Sequence, residues 1–75
     1  MIKMNALVRA AHLAPSVGPF TIRRLLFRAG IFSADDFSPD DIRSALPMIE
    51  EELKGILSPN DLAAARIELA NLLAA

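Results

Sequence analysis

Side chains that could perform acid–base or nucleophilic chemistry are few in this sequence. It contains one histidine, His12, and no cysteine. A histidine can act as a general base near neutral pH, but a catalytic centre also needs a nucleophile or a metal ion held beside it. The serines fall mostly in turns or at predicted helix starts, where capping of the helix explains them. The sequence therefore predicts a protein that is not an enzyme.

Acidic side chains cluster in two places, and neither cluster has the spacing of a metal site. The first comprises Asp35, Asp36, Asp40 and Asp41, and the second Glu50, Glu51 and Glu52. The aspartates lack the alternating ligands and central glycine of a calcium loop, and carboxylates at the start of a helix interact favourably with its dipole. The glutamates are typical of a solvent-exposed helix face. We therefore expect no metal site, no cofactor and no small-molecule substrate.

The charged residues divide the chain into two halves of opposite sign. Residues 1–32 contain five lysines and arginines and no acidic residue, whereas residues 33–75 contain nine acidic and three basic residues. The resulting charges of +5 and −6 sum to the −1 of the whole chain. We expect the basic half to pack against the acidic half through ion pairs, each contributing about 0–1 kcal/mol where it is exposed.

The elements that position these side chains are predicted to be helices. Hydrophobic residues make up 53% of the chain, tryptophan and tyrosine are absent, and alanine and leucine dominate, which favours an all-α fold. Helices are expected over residues 2–14, 19–29, 39–57 and 59–73, forming a compact four-helix bundle in a single helical domain, residues 1–75. No apolar run approaches the length of about 18 residues needed for a membrane span. The lack of cysteine suits a reducing cytoplasm.

Start and stop signals define most of the helix ends. Ser38 and Ser58 are each followed by a proline and by aspartate in the first turn, which is typical of a helix start. Residues 33–36 have the spacing of a capping box, and Gly30 is a predicted helix end. Pro47 lies inside the third helix, where a proline removes a backbone hydrogen bond. We expect it to kink that helix or to split it in two.

Helical periodicity divides the first two helices into polar and apolar sides. On the first helix Asn5, Arg9 and His12 form a narrow polar stripe, and the rest of the circumference is almost entirely apolar. The second helix has a polar stripe of Thr21, Arg24 and Arg28, and the residues on its apolar side are Phe20, Ile22, Leu25, Leu26 and Phe27. We expect the first helix to be buried over most of its circumference. Arg23 interrupts the apolar side of the second helix, so it needs a carboxylate partner, an exposed position at the rim or a ligand.

The last helix carries two apolar faces, and one core cannot easily cover both. Together with the first helix, the second face predicts an exposed apolar patch, which usually marks a protein interface. The residues expected in this interface are Leu7, Val8, Ala63, Ile67, Ala70 and Ala74. We expect a symmetric homodimer formed by the first and last helices, or a different protein that offers an amphipathic helix or groove. The predicted function is a protein–protein interaction module: an adaptor, a regulatory subunit or an inhibitor that occupies a partner's surface.

Nucleic-acid binding is the alternative function. The first two helices are joined by a glycine-containing turn, and the second carries three arginines and no acidic residue, as in a helix-turn-helix arrangement. The residues that would contact nucleic acid are Thr21, Arg23, Arg24 and Arg28. The overall pI of about 5.7 argues against a protein whose main task is to bind phosphates.

Overall fold

Residues 1–32 and 36–74, which the computed structural model describes, form four helices and one pair of short strands. In chain order the elements are β1 (Ile2–Lys3), α1 (Met4–Ala10), α2 (Gly18–Arg28), β2 (Asp36–Phe37), α3 (Pro39–Lys54) and α4 (Pro59–Ala74). α1 and α3 each pack against both α2 and α4, which places α2 and α4 at opposite corners of the bundle. The predicted all-α bundle of four helices is confirmed.

Serine caps begin the two long helices at the predicted positions. The hydroxyl of Ser38 accepts a hydrogen bond from the backbone N–H of Asp41 at 3.1 Å, and α3 starts at the next residue. Ser58 accepts the equivalent bond from Asp61 at 3.2 Å, and α4 follows. Each cap satisfies one of the backbone donors that the first turn of a helix leaves without an internal partner.

The N-terminal end of α1 differs from the prediction because the preceding residues form a strand. Ile2 and Lys3 pair antiparallel with β2, with Ile2 opposite Phe37 and Lys3 opposite Asp36. Ile2 and Phe37 are both buried, so this pairing adds two large side chains to the core. The capping box predicted at 33–36 lies outside the described residues, except for Asp36, which belongs to β2.

The C-terminal end of α1 comes four residues before the predicted residue 14. His12 has φ +57°, a left-handed conformation that ends a helix. Its N–H donates to the carbonyl of Arg9 at 3.1 Å, and the N–H of Leu13 donates to the carbonyl of Val8 at 3.2 Å. These are the two hydrogen bonds of a Schellman motif, here with histidine in the position that glycine usually occupies.

α3 passes through Pro47 as one helix, so it is not split in two. Pro47 has no N–H to donate to the carbonyl of Arg43, four residues earlier. Both residues are exposed, and water can reach that side of the helix. The helix ends at Lys54 rather than at residue 57, with Gly55 as its C-terminal cap.

The core is formed by one buried side of each helix together with the strand pair. Its largest fully buried side chains are Leu7, Ile22, Leu25, Leu26, Phe37, Ile42, Ile49, Leu53 and Leu69. Every member of this set is apolar. A small domain buries little surface, and this one has no disulfide, so the stability of the fold depends on burying apolar side chains.

Ion pairs join the basic half of the chain to the acidic half, as the charge division predicts. Among the described residues, pairs between the halves include Lys3–Asp36 and Arg24–Glu52, and the ring of His12 hydrogen-bonds the carboxylate of Glu68. In the first two the nitrogen and oxygen lie 2.9 Å and 2.7 Å apart. All three contacts are at least partly exposed, so they favour this arrangement of helices more than they stabilise the fold.

Candidate interaction surface

The α1 residues predicted for a partner interface lie in the core instead. Leu7 is 0% exposed and Val8 is 5% exposed. α1 packs against both α2 and α4, which covers its apolar side and leaves Asn5 and Arg9 of the polar stripe at the surface. The prediction was therefore wrong for these two residues, because the chain itself supplies the cover that a partner was expected to provide.

The α4 residues predicted for the interface are exposed on the outer side of that helix. α4 buries Ala65, Leu69 and Leu73. The predicted interface residues on the opposite side are Ala63, Ile67, Ala70 and Ala74, and Ile67 is 63% exposed. The second apolar face is thus left open by the fold, and its part in self-association stays a prediction.

A second exposed apolar surface lies on and beside α2. Phe20, Phe27 and Phe32 are 74%, 65% and 71% exposed, and we call these three residues the aromatic face. Phe20 and Phe27 are seven residues apart, which is almost two helical turns, so they share one side of α2. A different side of the helix packs into the core, and its buried residues are Ile22, Leu25 and Leu26.

The end of α2 brings Phe32 back onto the aromatic face. Gly30, the predicted helix end, has φ +84°, and the N–H of Ile31 donates to the carbonyl of Leu26 at 2.8 Å. This turn places the ring of Phe32 5.0 Å from that of Phe27, at an interplanar angle of 79°. Edge-to-face contact of this kind is favourable for aromatic rings, and it gives the face a fixed shape before any partner binds.

Arginines border the aromatic face, and Arg23 and Arg24 lie between Phe20 and Phe27 along this side of α2. Arg23, Arg24 and Arg28 are exposed on the outer half of α2, whereas Thr21 is half-buried. The guanidinium of Arg24 is held by Glu52 of α3, which partly neutralises this border. The residues predicted to contact nucleic acid therefore lie on one side of the molecule, but an acidic residue lies among them.

The connection between α1 and α2 is longer than a helix-turn-helix turn. It spans residues 11–17, between the end of α1 at Ala10 and the start of α2 at Gly18. A helix-turn-helix joins its helices by a turn of about three or four residues. The sequence suggested that arrangement, but the geometry of the two helices does not reproduce it.

Comparisons with known proteins add no functional assignment. No protein-family model, curated protein or solved structure matches this chain. Within residues 1–32 and 36–74, none of the helices has the length and apolar character that crossing a membrane requires.

Proposed function

We propose that this chain is a small protein–protein interaction module that binds its partner through the aromatic face of α2. The observation that supports the proposal is the exposure of Phe20, Phe27 and Phe32 on one side of the molecule. Aromatic side chains and arginines are both enriched at protein interfaces, and the exposed Arg23 and Arg24 lie between Phe20 and Phe27 on this side of α2. A face of three phenylalanines is thus better suited to contact with another protein than to contact with water.

The charge around the aromatic face indicates what kind of protein would bind there. Residues 1–32 contain no acidic side chain, and Arg23, Arg24 and Arg28 border the face. A partner with an apolar centre and an acidic margin complements this surface. A second copy would offer the same arginine-rich margin rather than an acidic one, so it complements this surface less well. We therefore propose a different protein, rather than a second copy, as the occupant of this face.

Within that class the chain would act by occupying a surface of its partner. An adaptor, a regulatory subunit and an inhibitor all work in this way, and none of them needs catalytic groups. We also propose that it acts in the cytoplasm, because a chain without cysteine suits a reducing compartment.

Site-specific photo-crosslinking in cells tests the proposal. A photoreactive amino acid replaces Phe27 in one variant and Ile56, an exposed apolar residue outside the aromatic face, in the matched control. We expect a protein to be crosslinked at position 27 and not at position 56. That protein, once purified, should bind the wild-type chain, and Phe20→Ala and Phe27→Ala should each weaken binding by about tenfold or more, as central aromatic residues usually do.

Two results would contradict the proposal. One is crosslinking that is no stronger at position 27 than at position 56. The other is a purified partner whose affinity is unchanged by Phe20→Ala and Phe27→Ala. Ile56→Ala serves as the control in the affinity measurement, because it removes a similar exposed side chain outside the aromatic face.

Nucleic-acid binding remains the second candidate, supported by the arginines that lie beside exposed phenylalanines on α2. Proteins that bind single strands combine basic residues for the phosphates with aromatic rings on which bases stack. The ion pair of Arg24 with Glu52 makes this candidate weaker than a protein partner. Heparin retention and gel shifts test it: binding that falls steeply with salt and is lost in Arg24→Ala and Arg28→Ala would favour nucleic acid.

A further inference from the structure

A cavity of about 540 Å³ lies beside α1 and the connection that leads to α2. One side of it is polar and comprises Asn5, Arg9 and His12, the stripe that the helical period defines. The other side is apolar and includes Val8, Leu13 and Pro19. This volume lies within the usual range of about 300–1,000 Å³ for small-molecule sites, which also combine an apolar lining with a few convergent polar groups.

Arg9 supplies a guanidinium whose hydrogen-bond donors are not used within the fold. In the part of the chain that the structure describes, its guanidinium has neither an ion pair nor a hydrogen bond. The same holds for the side-chain amide of Asn5, one helical turn away. A guanidinium can donate two parallel hydrogen bonds to a carboxylate, and an amide N–H can donate a third.

The backbone of His12 holds its ring at the edge of the cavity. A left-handed conformation costs a residue with a side chain about 1–2 kcal/mol more than it costs glycine. Here that conformation is combined with a hydrogen bond between the ring and Glu68 of α4, which orients the ring from outside the cavity. The same conformation closes the C-terminal end of α1, so the helix end itself places the ring of His12 at the cavity.

We propose that this cavity binds a small organic monocarboxylate with an apolar body. Arg9 and Asn5 would bind the carboxylate, and Val8, Leu13 and Pro19 would contact the apolar part. A dianion such as phosphate fits less well, because there is one guanidinium and most of the lining is apolar. Glu68 lines a neighbouring depression together with Arg9, so the net positive charge near the cavity suits one negative charge better than two. This site is separate from the aromatic face and does not depend on it.

A titration followed by two-dimensional ¹⁵N–¹H NMR tests the site with phenylbutyrate as the probe and its primary amide as the matched neutral control. We expect saturable shifts of the backbone signals between residues 5 and 19 with phenylbutyrate. The amide should bind about tenfold more weakly, because it cannot accept the charged bidentate hydrogen bonds. Arg9→Gln should weaken phenylbutyrate binding to the level of the amide, and Arg28→Gln, an equivalent change on α2, should leave it unchanged.

Arg9 is exposed, so Arg9→Gln is expected to fold, and far-UV circular dichroism checks this. The comparison of acid with amide tests the site on the wild-type chain even without the variant. Equal binding of the acid and the amide would overturn the proposal, as would wild-type affinity in Arg9→Gln. Shifts confined to Phe20, Phe27 and Phe32 would overturn it as well, since they would place the probe on the aromatic face.

Discussion

Gly18 allows α2 to begin directly against α1. A Cβ atom at this position would lie 2.4 Å from Cγ1 of Val8 and 3.1 Å from Cβ of Leu13. Val8 and Leu13 are both buried, so neither side chain has free space to move into. We expect Gly18→Ala to lower the free energy of unfolding by about 1–3 kcal/mol, the usual cost of overpacking a core, as measured by urea denaturation.

Gly55→Ala is the matched control for this prediction. Its Cβ would lie 3.6 Å from the carbonyl oxygen of Glu52, an ordinary contact, and its φ is −83°. Alanine at such a position reduces the freedom of the unfolded chain, and we expect a gain of about 0.4–1 kcal/mol in stability. Equal losses in the two variants would show that Gly18 is not special.

Single residues with a local role could be read from the sequence, and those with a role set by distant contacts could not. Ser38, Ser58 and Gly30 act on the backbone within a few residues, so their identity and spacing predicted the helix ends. The left-handed backbone of His12 had no such signal, because glycine is the usual residue in that conformation. The position of His12 depends on α4, which supplies Glu68 from 56 residues away.

At the scale of an element, the bounds of α2 could be predicted but its orientation could not. The predicted segment 19–29 differs from the observed helix by one residue at each end. The apolar residues of α2 cover an arc that is too wide to be buried in one core. From the sequence alone, Phe20 and Phe27 could have faced either the core or the solvent. The packing of α1 and α3 determines which arc is buried, and the sequence of α2 alone does not contain that information.

With the apolar side of α1 buried, the self-association that the sequence predicted for α1 and α4 together would have to use the outer side of α4. Ile67 is the large apolar residue of this side, flanked along the helix by Ala63, Ala70 and Ala74. We expect the wild-type mass in light scattering to rise with concentration. Ile67→Glu should weaken association by about tenfold or more, because it places a charge in an apolar contact, and should leave the helix content unchanged.

Ile56→Glu provides the control for this measurement. Ile56 is 52% exposed and follows α3, outside the outer side of α4. Association that weakens equally in both variants would indicate a general effect of added charge. A wild-type chain that stays monomeric at every concentration would contradict self-association through α4 altogether.

At the scale of the whole molecule, ion pairs link helices of the basic half to helices of the acidic half. Arg24 of α2 and Glu52 of α3 approach to 2.7 Å, with 51% and 30% of their side chains exposed. We expect Arg24→Glu to destabilise the fold by roughly 0.2–1 kcal/mol or slightly more, since it also places two negative charges together. The double variant Arg24→Glu/Glu52→Arg should recover most of that loss in urea denaturation.

The double-mutant cycle on Arg24 and Glu52 needs the Glu52→Arg single variant as well. A coupling energy within the error of additivity, about 0.3–0.5 kcal/mol, would show that the pair contributes nothing to the arrangement of α2 and α3.

The division of charge predicted that such pairs would exist. The pairing of β1 with β2 was beyond prediction, because two residues on each strand give no periodic signal.

The contact between α1 and α4 has a consequence for synthesis of the chain. The nearly fifty residues between Ala10 and Pro59 take the ribosome about 2–10 s to add, at roughly 5–20 residues per second. Small helical domains fold in microseconds to milliseconds, so α1 waits far longer for α4 than folding itself takes. During that interval Leu7 and Val8 are without part of their final cover. The nascent chain then presents a basic, apolar segment that a chaperone could bind until α4 emerges.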